Sequence, residues 1–121
     1  VHDPNFVILY VSDAAASASF YARLLGRPPA EASPGFAMFA LDGGTMLGLW
    51  RADGVAPPAT PPGGAELAFT VGDDGAVRAT HADWLARGLD VLQPPTPMDF
   101  GFTFTAGDPD GHRLRVFAPA R

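Results

Sequence analysis

The sequence predicts an α+β chain made of two βαβββ modules joined by a proline- and glycine-rich linker. Three observations lead there: the halves repeat, Pro and Gly cluster, and apolar runs switch between strand-like and helix-like periods. The first half opens FVILYVSD (Phe6 to Asp13), followed by ASASFYARLLG (Ala16 to Gly26). The second opens ELAFTVGD (Glu66 to Asp73), followed by AVRATHADWLARG (Ala76 to Gly88). Each reads strand, Asp, amphipathic helix, Gly. Between them RADGVAPPATPPGGA (Arg51 to Ala65) has no hydrophobic period and suits neither a helix interior nor a central strand. Module 1 is therefore placed at about 5–51, the linker at about 52–65 and module 2 at about 66–119 of one 121-residue domain.

The elements follow in order. Runs of β-branched and aromatic residues bounded by turns predict strands at Phe6–Val11, Phe36–Leu41, Met46–Trp50, Glu66–Val71, Thr103–Ala106 and Leu114–Ala118, with a further short one at Leu89–Leu92. Asp13 and Asp73 stand where an N-cap belongs, their carboxylates at the positive helix ends. Gly26 and Gly88 stand just past the last helical residues. Asp42-Gly43-Gly44 predicts a hairpin, and Asp108-Pro109-Asp110-Gly111 a tight turn. Pro28-Pro29 and Pro34-Gly35 punctuate the first half; Pro94-Pro95 and Pro97 are expected to mark a loop in the second.

Composition narrows the function. With no Cys, disulfides, thiol catalysis and Cys-ligated metals are excluded. All eight basic residues are Arg, so Schiff-base chemistry and a P-loop lysine are excluded too. A net charge of −5 has the wrong sign for nucleic acid. No apolar stretch is long enough to span a bilayer. Val-His-Asp-Pro-Asn at the start does not resemble a secretory signal, so a cytoplasmic protein is expected.

LYVSD…SFYARLLG in the first module, LDVLQPP…MDFG in the second and the closing GFTFTAGDPDGHRLRVFAP resemble the vicinal-oxygen-chelate superfamily of glyoxalases, extradiol dioxygenases and fosfomycin- and bleomycin-resistance proteins. DPDGHRLRVF is the most specific block, and the likeness covers nearly the whole chain. The resemblance implies sheets curled around a cleft. It also implies a homodimer, with modules paired across chains as one arrangement. In enzymes of the family a metal sits in the cleft, held by His, Gln or Glu from the first and last strands of each module. Residue by residue, those positions are Phe6, Gly48, Glu66 and Arg115 here. Phe and Gly cannot ligate, and Arg⁺ repels a divalent cation, so no metal and no cofactor are expected.

Strand alternation then assigns a cleft lining. Phe6, Ile8 and Tyr10 share one face of the first strand, and Met46, Gly48 and Trp50 one face of the strand near the linker. Glu66 and Arg115 would lie close together in the second module. Phe100, Phe102 and Phe104 alternate on the approach to the DPDG turn and are placed in the cleft with them. Such a lining suits a large, flat, poorly charged molecule. Glu66 and Arg115 have two readings: an orienting pair for a ligand carbonyl or carboxylate, or an ion pair filling the vacated metal position. Gly48 either leaves room for a ring or marks a bulge.

His2, His81 and His112 form no ligand spacing, and no Ser has a nucleophile setting. Trp84 reads as core, and Asp108 with Asp110 as turn residues. The expected function is metal-free capture of an aromatic, macrocyclic or peptide antibiotic, like the drug-sequestering members of the superfamily. The alternative is a glyoxalase-like lyase, isomerase or dioxygenase with an atypical metal site.

Overall fold

A computed structural model describes residues 3–120, and His2 lies outside them. The chain divides into two compact units, residues 1–61 and 62–121. Each is a four-stranded mixed sheet with one helix, so the α+β class and the repeat are both realised.

Unit 1 runs β1 (Phe6–Val11), α1 (Ala14–Leu25), β2 (Glu31–Ala32), β3 (Phe36–Ala40) and β4 (Met46–Arg51). Its sheet order is β1-β4-β3-β2, with β1 and β4 parallel and the other pairs antiparallel. Asp13 caps α1, its side chain accepting from the Ala16 amide at 3.0 Å. The chain leaves α1 through Gly26 at φ 69°, a left-handed conformation that glycine adopts without a Cβ penalty. The helix buries Ala14, Ser17, Ala18 and Tyr21, the i, i+3, i+4, i+7 stripe of an amphipathic helix. They pack with Val11, Ala37, Phe39, Leu47 and Leu49 in the unit's buried apolar set.

Unit 2 repeats the plan with β5 (Glu66–Thr70), α2 (Asp74–Ala86), β6 (Asp90–Met98), β7 (Gly101–Gly107) and β8 (Arg113–Pro119), in the order β5-β8-β7-β6. Asp73 caps α2 through the Ala76 amide at 2.8 Å. At its end the Gly88 amide donates to Leu85 and the Leu89 amide to Trp84, a Schellman closure. Trp84 is core as expected: it meets Phe69 and Phe104 edge-on at 5.7 and 5.4 Å. In the DPDG turn, one carboxylate oxygen of Asp108 accepts from the amides of Asp110 and His112. The turn alone accounts for that pair of aspartates.

Two expectations change. Pro94, Pro95 and Pro97 do not mark a loop; they lie within β6, which extends the short strand expected at Leu89–Leu92 to Met98. β6 is an edge strand with register shifts between Val91 and Gln93 and between Gln93 and Thr96, the setting in which a residue without N–H is tolerated. The two-residue β2 was not individually foreseen; it too lies at an edge.

Candidate functional site

Each sheet has one face against its helix and one turned away from it. On unit 1, the in-register pairs Phe6–Met46, Ile8–Gly48 and Tyr10–Trp50 place these six residues together on the face away from α1. The β3–β4 register adds two that the sequence reading missed, Phe36 opposite Trp50 and Met38 opposite Gly48. This face carries almost nothing but apolar surface. Phe6 is 40% and Ile8 44% exposed, unusual for such large apolar side chains. Tyr10 and Trp50 meet edge-on at 6.4 Å.

Gly48 has a definite use. A Cβ there would lie 2.8 Å from Cε1 of Phe6 and 2.9 Å from Cζ of Phe36. The space is filled by the chain's own rings, 6.5 Å apart between centroids, which lean across β4 from either side. Gly48 sits in regular pairing within β4, so it marks close approach of rings and not a bulge.

Unit 2 presents a different surface. Arg115 Nε donates to Glu66 Oε2 at 2.7 Å and Nη2 donates to Oε1 at 3.0 Å, a two-pronged ion pair. Arg115 Nη1 donates to Gln93 Oε1 and to Thr103 Oγ1, both at 3.2 Å. The Thr103 hydroxyl donates on to the Val116 carbonyl at 2.9 Å, and that of Thr105 to Gln93 Oε1 at 3.3 Å. Four of the guanidinium's five N–H bonds are thus spent inside the unit. Hydrogen bonding from Arg115 holds the Glu66 carboxyl below its ordinary range, and the same bond raises Arg115.

Phe100 and Phe117 meet edge-on at 5.7 Å beside this network, and the Arg115 guanidinium lies 5.8 Å from the Phe100 ring centre. Phe102 and Phe104 do not join them, which corrects their placement in the cleft. Both face α2: Phe104 is fully buried against His81 and Trp84, and Phe102 lies under the Arg78 guanidinium. The alternation is broken at Gly101. Phe100 belongs to the turn before β7, and Gly101 has φ 149° with its missing Cβ aimed at the Ala118 carbonyl oxygen. Within β7 it is Thr103 and Thr105 that share the face of Phe117 and Arg115, with which they pair.

The four metal-ligand positions carried over from the resemblance can now be tested. Phe6 and Gly48 bring no donor. Glu66 has both oxygens engaged by a cation that is part of the chain, and that cation, Arg115, occupies the last position. Among the described residues no three His, Cys, Asp or Glu side chains converge. These residues do not fit a divalent metal, which needs several oxygen or nitrogen ligands.

Two repeated βαβββ units, with an aromatic sheet face on one and a closed carboxylate–guanidinium network on the other, define a two-module class of protein whose metal-ligand positions are altered. The family model described as Glyoxalase/Bleomycin resistance protein/Dioxygenase superfamily matches residues 4–116, and the chain belongs to that superfamily. It is 28% identical over 116 residues to the phenazine antibiotic resistance protein EhpR of Enterobacter agglomerans, covering 93% of this chain and 89% of that one. A solution NMR structure of a protein from Agrobacterium tumefaciens is 51% identical over the full length of both chains, with a TM-score of 0.92. A glyoxalase-related enzyme from Fulvimarina pelagi superposes with a TM-score of 0.82 at 26% identity, over 98% of this chain and 88% of that one.

Proposed function

We propose that this protein captures a flat aromatic antibiotic, or a macrocyclic or peptide antibiotic with aromatic groups, and holds it without metal and without turnover. The observation that carries the reading is the Arg115–Glu66 pair. It puts a built-in cation at one ligand position and neutralises the carboxylate at another. Exposed rings on the unit 1 face supply the attraction: stacking and removal of apolar surface from water need no bond to be made or broken. The relative that confers phenazine resistance supports the ligand class. The net charge of −5 favours a neutral or cationic ligand. A cytoplasmic homodimer, with modules paired across chains, forms part of the same proposal.

The two tryptophans make the test clean, since Trp84 is buried against α2's sheet and Trp50 lies on the unit 1 face. Phenazine is expected to quench Trp50 saturably and to be recovered unchanged. Followed by calorimetric titration, which does not depend on the Trp50 signal, Phe6→Ala and Trp50→Ala should each lower phenazine affinity by roughly tenfold, as lost stacking and apolar contact predict. Chemical conversion of the phenazine, or unaltered affinity in both variants, contradicts the reading.

A further inference from the structure

We propose that Gln93 selects the ligand's polar atom, presenting a fixed N–H donor to an acceptor in the plane of an aromatic ring. This rests on the capture reading and extends it to a residue that reading does not use.

Arginine has only donors, so the Gln93 atom 3.2 Å from Arg115 Nη1 must be the amide oxygen. The Thr105 hydroxyl donates to the same oxygen at 3.3 Å, and both contacts fix the amide plane. The Nε2 end is thereby turned away from Arg115. One of its two hydrogens faces the Met98 sulfur at 3.5 Å, a weak acceptor, and the other has no partner among the described residues. Thr105, which anchors the oxygen end, is buried, whereas Gln93 is half-buried and its Nε2 contact with Met98 is exposed.

Two exposed apolar side chains belong to this part of the unit: Met98, which the donor faces, and Phe100, near the Arg115 guanidinium. Met98 is 46% and Phe100 44% exposed, and Phe100 is braced edge-on by Phe117. A fixed donor beside an exposed thioether and ring suits an aromatic system with a ring nitrogen, carbonyl or N-oxide at its edge. Polar contacts of this kind fix orientation where apolar contacts supply affinity. Arg115 is a poor candidate for that role, with four N–H bonds already committed.

The test compares phenazine with anthracene, the same three rings with C–H in place of both nitrogens, by equilibrium titration. Gln93→Glu keeps an acceptor facing Arg115 and Thr105, puts a carboxylate oxygen where the donor was and adds one negative charge beside the Arg115 guanidinium. The unaltered chain should prefer phenazine by about fivefold, the size of one net hydrogen bond. Gln93→Glu should abolish the preference while leaving anthracene affinity in place. Thr105→Val, which removes one bond to the amide oxygen, should retain it. A preference that survives Gln93→Glu, or equal loss of both tricycles, overturns the role of Gln93 and leaves capture standing. Failure of the unaltered chain to bind either tricycle overturns capture, and the role of Gln93 with it.

Discussion

The two units share strand order, helix placement and an Asp N-cap, yet their helix-free faces differ in kind. In unit 1 that face is Phe6, Phe36, Met38, Met46 and Trp50 around a bare Gly48. In unit 2 the corresponding surface holds Glu66, Arg115, Gln93, Thr103 and Thr105 in one hydrogen-bonded network, flanked by Phe100 and Phe117. The repeated architecture fixes where side chains stand and leaves their chemistry open. In one unit the metal-ligand positions carried over from the resemblance hold Phe6 and Gly48; in the other the last one holds an internal cation, Arg115.

The largest expected effect separates the two faces of a single sheet. Phe104→Ala removes a fully buried ring and should cost about 3–5 kcal/mol in denaturant unfolding. Phe100→Ala, on the other face and exposed, should cost about 1 kcal/mol or less by the same measurement, because little buried area is lost. Equal costs would show that the two rings share an environment.

Next in size is Arg115→Ala. It leaves the Glu66 carboxylate without its main partner and takes one of two partners each from the Gln93 amide oxygen and the Thr103 hydroxyl, for a loss of about 2 kcal/mol measured by urea unfolding. Glu66→Gln should cost less, since Gln93 and Thr103 still receive Arg115. A smaller cost for Arg115→Ala than for Glu66→Gln would contradict the network as described.

Gly48→Ala should move stability by about 1 kcal/mol or less, because the atoms it meets are the far ends of two rings and Phe6 has solvent to swing into. Phenazine affinity should nevertheless fall, since the Phe6 and Phe36 rings must part. Unchanged affinity would remove the ring pair from the ligand's path.

The smallest effect is on pH. Glu66 is held below its unfolded value, so its stabilisation is fully present above the ordinary carboxylate range and is lost as pH falls through the lowered value. The acid limb of the unfolding curve should flatten in Glu66→Gln. An acid limb identical to that of the unaltered chain would show that Glu66 is not linked to folding.

Much of this was legible before any coordinates. Asp13 and Asp73 with Gly26 and Gly88 punctuate both helices, because capping chemistry is local. Faces on β1 and β4 followed from period-two alternation, which holds through a regular parallel pair. Alternation failed at Phe100, Phe102 and Phe104 because a turn and Gly101 interrupt the pleat between the first ring and the other two. Phe36 and Met38 could have been found by running the antiparallel register back from the Asp42-Gly43-Gly44 hairpin. Gln93 could not, since two register shifts in β6 break the count from Leu92 to Met98. The pairing of Glu66 with Arg115 was foreseen, with two readings of its role. The geometry favours the ion pair, because Arg115 has one N–H left to offer.

The central claim is capture by rings, independent of metal. Calorimetric titration with phenazine, once in excess chelator and once with added manganese or zinc, tests it most directly. The same affinity and stoichiometry are expected in both, with the phenazine recovered intact. Binding that requires the metal, or phenazine consumed when metal is supplied, would contradict it.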